Sequence, residues 1–188
     1  MNPLIAVILG ASVSSGYSGK PVAELVAEGL GIPFRNEASI CHKVEPNEVA
    51  GRKGVLWFNL DGKYWRSYDK DCAAAAASVR GFYEATAGQP KVMATVPARN
   101  AGGFYRFVCG AETREQLCRP AINAALREGC DPAECVLVDA DELYDAHKDV
   151  DDIHLTPDIW RAQAKPLLEK VRALNFSTPS HSNSQLTR

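Results

Sequence analysis

The sequence predicts an α/β protein: a parallel sheet with helices on both faces. Three observations carry this. Residues 4–9, 55–58, 91–96 and 135–138 are continuous apolar runs, the pattern of strands buried on both sides. Stretches with helical spacing of apolar residues separate them. Glycine, proline and short polar residues mark the junctions between the two kinds of segment.

Residues 4–9 (LIAVIL) open the sheet. Residues 22–30 follow as a helix, with Val22, Leu25, Val26 and Leu30 on one face and Gly31 as its stop. Residues 32–35 are a weaker fifth strand. The third strand, 55–58, leads to a helix over 71–87, whose alanine run 73–77 is good helix former. After the strand at 91–96, residues 114–128 place Leu117, Ile122 and Leu126 near one helical face. After the strand at 135–138, a last helix over 157–174 is announced by Thr156 as N-cap, Pro157 at its first position and Asp158 in its first turn. Pro166 inside it predicts a kink. The residues after Asn175 are polar and aperiodic. One domain is therefore expected over residues 1–175, with a tail over 176–188.

Composition narrows the function classes. The chain has 188 residues, 46 % hydrophobic and 23 % charged, as in an ordinary soluble globular protein. A net charge of −2 offers nothing to nucleic acid or to an anionic membrane. No apolar run approaches the ~20 residues that span a bilayer. The apolar N-terminus lacks the positive region of a signal peptide and reads as a first strand, so a cytoplasmic protein is expected. Cys41, Cys72, Cys109, Cys118, Cys130 and Cys135 form no C-x-x-C pair. Cys130 and Cys135 flank a turn (DPAE), but two further zinc ligands are missing nearby. The cysteines are expected to be reduced thiols that fill core, with no metal and no cofactor.

Ligands of parallel α/β sheets bind beyond the carboxyl ends of the strands, so the loops there hold the candidates. The first loop, GASVSSGYSGKP, fails as a phosphate cradle: Ser14 stands where a Walker loop needs glycine, and Pro21 follows Lys20. A G-x-G-x-x-G fingerprint fails at Ser12. The loop presents serines instead, and a reactive serine needs a base and an orienting acid. His181 is in the tail, and His42 and His147 lie in polar surroundings that predict solvation. His154 differs. It follows Asp151 in a D-x-x-H spacing just before the last helix, close enough for the carboxylate to reach Nδ1 and leave Nε2 for a hydroxyl. The acid-rich run from Asp139, with Asp141 and Asp145, lacks the glycine and glutamate of a calcium loop and reads as a solvated loop.

Two motifs together, the strand with its following serine (IAVILGASVSSG) and DDIHLTPDIW, resemble the SGNH (GDSL-like) hydrolases, a superfamily of esterases, lipases, thioesterases and carbohydrate deacetylases. The resemblance spans about residues 4 to 174. It implies a three-layer α/β/α sandwich with about five parallel strands in flavodoxin-like order. It also implies Ser12 as nucleophile, His154 as general base and Asp151 as its orienting acid, with Ser14 and Ser15 as rival hydroxyls ranked behind. The substrate it implies is a small-molecule ester or an acylated sugar.

The sequence departs from the family pattern at three places. Ala11 replaces an aspartate before the serine, outside the triad. In the loop after the second strand, Cys41 or Ser39 stands where a glycine gives its N–H to the oxyanion. In the block resembling G-x-N-D, Asn59 is present to offer its side-chain amide, but Trp57 replaces the glycine and Leu60 the aspartate, leaving Asp61 as a polar contact near the pocket. Tyr64, Trp65 and the aromatics of the 97–107 loop are candidate pocket walls or simply loop packing. The alternatives to an ester hydrolase are a binding protein of the same fold with altered oxyanion loops and, less favoured, a phosphate-binding α/β protein.

Overall fold

In a computed structural model of the chain, the described residues are 4–11, 16, 19–40, 42, 44–60, 71–96, 118–140, 143 and 157–174. Five strands form one parallel sheet: β1 (Ile5–Leu9), β2 (Phe34–Asn36), β3 (Val55–Asn59), β4 (Lys91–Ala94) and β5 (Cys135–Val138). Their order is β2-β1-β3-β4-β5. Between and after them run α1 (Val22–Leu30), α2 (Pro46–Val49), α3 (Cys72–Ala85), α4 (Arg119–Gly129) and α5 (Pro157–Arg172). This is the three-layer α/β/α architecture expected from the sequence. Among the described residues no helix is long and apolar enough to cross a membrane.

Alternation along the strands sorts their side chains into two cores. Ala6, Ile8, Leu56, Phe58, Val92 and Ala94 face α1 and α5, where Val22, Val26, Leu167 and Val171 cover them. Val7, Leu9, Val55, Trp57 and Met93 face α2, α3 and α4, meeting Val49, Val79, Phe82 and Leu126. Both faces of β1, β3 and β4 are thus covered, which is why these strands read as unbroken apolar runs. β2 pairs only with β1 and its residues are exposed, so its sequence signal is weak. Trp57 and Phe82 are fully buried and meet edge to face, ring centroids 6.4 Å apart; each stabilises the fold by roughly 2–3 kcal/mol through burial.

Helix α1 stops where expected, at Gly31 with φ 67°, a left-handed cap that glycine adopts without strain. Helix α5 runs through Pro166, held to the sheet by Leu167 and Val171. The four-residue α2 has no apolar period to reveal it; its signal is local, Pro46 at the first turn and a capping box in which the Glu45 N–H donates to Glu48 Oε1 at 2.6 Å.

The cysteines correct the expectation of reduced thiols. Cys72 is bonded to Cys118 and Cys130 to Cys135, and no free cysteine occurs among the described residues. Cys41 and Cys109 lie outside them. The absence of C-x-x-C spacing says nothing about partners brought together by helix packing, which is how residues 46 apart come to pair. By loop-closure entropy the longer bridge contributes about 4 kcal/mol and the five-residue one about 2.

Two close contacts lend themselves to measurement. A Cβ on Gly129 would collide with the ring of Tyr83, whose hydroxyl donates to the Leu126 carbonyl at 2.9 Å. The ring is held by that bond and cannot retreat, so Gly129→Ala is expected to cost about 1–3 kcal/mol in chemical denaturation. At the start of β4, Lys91 is 1 % exposed with Nζ 3.4 Å from Glu134 Oε2. Burial lowers its pKa, and Glu134 opposes the shift. In the window between that lowered value and 10.5 the unfolded chain binds more protons, so the Lys91 contribution to stability rises with pH there. Lys91→Met is expected to raise the melting temperature, because it removes a buried charge and leaves the partly exposed Glu134 to water. A fall in melting temperature would show the pair to be net stabilising.

Candidate active site

The parallel register brings three strand ends level. Leu9 of β1 pairs with Asn59 of β3, and Asn59 with Met93 of β4. Beyond Leu9 come Gly10 and Ala11, the latter fully buried. The carboxylate that the family pattern has at Ala11 would need a partner in this apolar position. The loop then closes by a turn in which the Gly19 N–H donates to the Gly16 carbonyl at 3.0 Å. Gly16 has φ 84°, and a Cβ there would lie 3.0 Å from the Gly19 oxygen, so this turn requires glycine. Lys20 turns outward to an ion pair with Glu28 on α1. The lysine that suggested a phosphate site is therefore a surface residue.

Asn59 is the last residue of β3 and 1 % exposed. By alternation with Val55 and Trp57 it points to the α3/α4 side. Neither its side-chain nitrogen nor its oxygen has a hydrogen-bond partner among the described residues. An orphaned buried amide costs on the order of 1–3 kcal/mol, and such groups cluster where a ligand supplies the missing partner. Trp57, two residues inside the strand, packs on Phe82, with the Arg52 guanidinium 5.8 Å above its ring. It is a core residue set back from the strand end. Leu60 is buried on the opposite face and lines a cavity of about 120 Å³ with Val22, Val138 and Leu167. That cavity lies on the α1/α5 side of the sheet, away from the face Asn59 addresses.

The loop after β2 runs along the exit of β1. The Glu37 N–H donates to the Ile8 carbonyl at 2.9 Å, and the Ser39 N–H to the Gly10 carbonyl at 3.2 Å. The Ser39 N–H is thus committed within the protein, which removes Ser39 from the two oxyanion-donor candidates of this loop. His42 closes a turn with its N–H on the Ser39 carbonyl at 3.0 Å. Its ring is half-buried, Nε2 lying 3.0 Å from Glu48 Oε2, and so is a structural tie to α2 where solvation was expected.

Two polar residues at the exits of β4 and β5 were missed in the sequence. Asn123 of α4 brackets the backbone of Val96: its Oδ1 accepts from the Val96 N–H at 2.7 Å and its Nδ2 donates to the Val96 carbonyl at 2.9 Å. Thr95 Oγ1 donates to Asp139 at 3.2 Å and accepts from the Ala140 N–H at 2.9 Å, while Arg127 reaches the same carboxylate at 3.3 Å. Asp139, expected in a solvated loop, instead joins two strand ends to α4. A polar residue on the apolar face of α4, between Ile122 and Leu126, was the available signal for Asn123.

Ser12, Cys41, Asp61, Asp151 and His154 lie outside the described residues, as do Ser14, Ser15, Tyr64, Trp65 and residues 97–107. Of the sequence candidates for the site, Asn59 and Ser39 lie among the described residues, Asn59 at the carboxyl end of the central strands.

Comparison with solved structures decides the fold. A lipolytic protein of the G-D-S-L family from Veillonella parvula superposes with a TM-score of 0.63 at 13 % identity, covering 88 % of this chain and 97 % of its own. The chain has the fold of the SGNH hydrolases. A carbohydrate acetylesterase from Sinorhizobium meliloti matches with a TM-score of 0.61 at 13 % identity over 92 % of this chain and 99 % of that one. A lipase/acylhydrolase from Enterococcus faecalis matches at 0.60 and 12 % identity over 90 % and 95 %. No family model and no curated relative matches the chain. The SGNH fold therefore spans nearly the whole sequence at an identity where the superposition speaks for architecture alone.

Proposed function

We propose that the chain is a serine hydrolase acting on a carboxylic ester or O-acyl group of a small molecule or acylated sugar. Its catalytic residues are Ser12, His154 and Asp151. The observation that carries the reading is the buried amide of Asn59, without a partner among the described residues, at the mouth of an SGNH fold. An amide N–H held in apolar surroundings and left without a partner is what a developing oxyanion needs.

In this mechanism Ser12 Oγ attacks the acyl carbon while His154 Nε2 takes its proton, and Asp151 stabilises the imidazolium through Nδ1. The carbonyl oxygen becomes an oxyanion that accepts from Asn59 Nδ2 and from the backbone N–H of Cys41, the remaining donor candidate of its loop. The C–O bond to the leaving alcohol breaks as His154 returns the proton. Water then attacks the acyl-enzyme with His154 again as base, releasing the acid and restoring Ser12. Asp61 supplies a polar contact beside the pocket. No metal or cofactor is required by these steps.

The two disulfides support an oxidising compartment in place of the cytoplasm expected from the sequence.

Hydrolysis of short-chain p-nitrophenyl esters, with fluorophosphonate labelling followed by mass spectrometry, tests the reading. Turnover and a single adduct on the peptide containing Ser12 are expected. A folded protein with neither would overturn it in favour of a binding protein on the SGNH fold.

A further inference from the structure

We propose that Asn59 acts twice in the hydrolase read above: Nδ2 donates to the oxyanion, and Oδ1 holds the water that cleaves the acyl-enzyme by accepting the hydrogen this water keeps. The proposal rests on that reading and adds a choice of acyl acceptor, water over alcohols, to the same site.

The steps described above use Nδ2 alone. Oδ1 is as deeply buried and is likewise without a partner among the described residues. The donors at the strand exits are engaged elsewhere. Asn123 Nδ2 is on the Val96 carbonyl, Thr95 Oγ1 on Asp139, and the Ser39 N–H on the Gly10 carbonyl. Within the sheet Asn59 stands between Leu9 and Met93, its register partners, whose apolar side chains share its face. The indole N–H of Trp57, two residues back on that face, does not reach Oδ1 either. The direction left for a partner is beyond the strand end, where the reaction is proposed to take place. Exchanging the two ends of the amide changes nothing, since both are without partners.

A carboxamide offers a donor and an acceptor side by side on one edge, and its full complement is a ligand edge with an acceptor and a donor. An ester has only acceptors around its carbonyl carbon. So does the intermediate of the first step, whose carbon bears the oxyanion, the Ser12 oxygen and the leaving-group oxygen. Oδ1 therefore stays unpaired through acylation. The second step differs. As the water oxygen bonds to the acyl carbon, the C=O electron pair moves onto the carbonyl oxygen, and His154 Nε2 takes one of the two water hydrogens as a proton. The carbon now carries O⁻ and O–H together. The O⁻ accepts from Nδ2, and the retained O–H donates to Oδ1. Collapse re-forms C=O, breaks the bond to the Ser12 oxygen and returns the proton from His154 to that oxygen, releasing a carboxylic acid. An alcohol attacking the same acyl-enzyme gives its one hydroxyl hydrogen to His154 and leaves Oδ1 unpaired. A buried acceptor without a donor raises the energy of that path, so water is the favoured nucleophile.

The test is the partition of the acyl-enzyme from p-nitrophenyl butyrate between water and an added nucleophile, read as product ratios by mass spectrometry after subtraction of the uncatalysed reaction. Methanol and hydrazine are of similar size. Methanol keeps no hydrogen on its attacking atom, whereas hydrazine keeps an N–H that can donate to Oδ1. Asn59→Leu is expected to raise the methanol-to-water product ratio about tenfold over wild type and to change the hydrazine-to-water ratio less than about twofold. Asn59→Asp retains an acceptor and loses the amide donor, so it should lose turnover and keep the wild-type methanol-to-water ratio within about twofold. An unchanged methanol ratio in Asn59→Leu, a rise that hydrazine shares, or an equal rise in Asn59→Asp would overturn the proposal while leaving the hydrolase reading standing. Absence of turnover in the wild type would overturn both. Should Asn59→Leu not fold, Asn59→Ala takes its place with the same expected ratios and the same overturning results.

Discussion

Asn59→Leu is expected to raise the melting temperature and lower kcat in the same protein. The side chain is 1 % exposed and both polar atoms of its amide lack partners among the described residues, so the folded state bears their desolvation without return. Leucine has the same number and branching of side-chain heavy atoms and no polar atom, and where the pocket mouth takes up its extra volume it should gain about 1–2 kcal/mol, a shift of roughly 2–8 °C for a chain of this size. The same change removes the proposed oxyanion donor, for which a loss of about 10²–10³ in kcat is ordinary. Opposite movement of stability and activity is the mark of a residue retained for function at a cost to the fold. Scanning calorimetry beside ester kinetics would measure both. A variant that loses stability would mean that Asn59 has a structural partner, and unchanged kcat would remove it from the oxyanion site.

Ser12→Ala is expected to have the larger effect on turnover, a loss of more than about 10³-fold, together with loss of fluorophosphonate labelling. His154→Ala should fall almost as far, and the Ser12 and His154 losses should not add, because the proposed mechanism has the two act as one unit. Asp151→Asn should lower kcat with KM nearly unchanged, since in the proposed mechanism it orients His154 without touching substrate. His42→Ala serves as the internal control. Its ring is tied to Glu48, so it should lower stability and leave turnover intact. Activity that survives Ser12→Ala and falls with Ser14→Ala or Ser15→Ala would move the nucleophile along the loop.

Much of the architecture was legible in the sequence because it is local. The continuous apolar runs of β1, β3, β4 and β5 report strands covered on both faces, and the structure covers them so. Helix α1 occupies the span read from its spacing and stops at its glycine. β2 was faint because it has three residues and all of them are exposed. α2 was missed because four residues cannot show a helical period.

The candidate site was legible only in part. Asn59 stood out by the motif it completes. Nothing in the chain order, however, tells that its amide is buried without a partner, or that the Ser39 N–H is spent on the Gly10 carbonyl. The departure at Trp57 looked like damage to the oxyanion loops, while its indole sits in the core against Phe82.

By itself the sequence determined the strand and helix segments, the α/β class and the residues that carry the resemblance to SGNH hydrolases. These follow from periodicity, capping and short motifs, all of which act within a few residues. Only the tertiary structure decided which cysteines pair, that Lys20 and His42 are held by glutamates, and that Asn59 closes β3 as an orphaned donor. Each of these depends on which groups distant in the chain the packed layers bring within about 3 Å of one another, a relation no local pattern encodes.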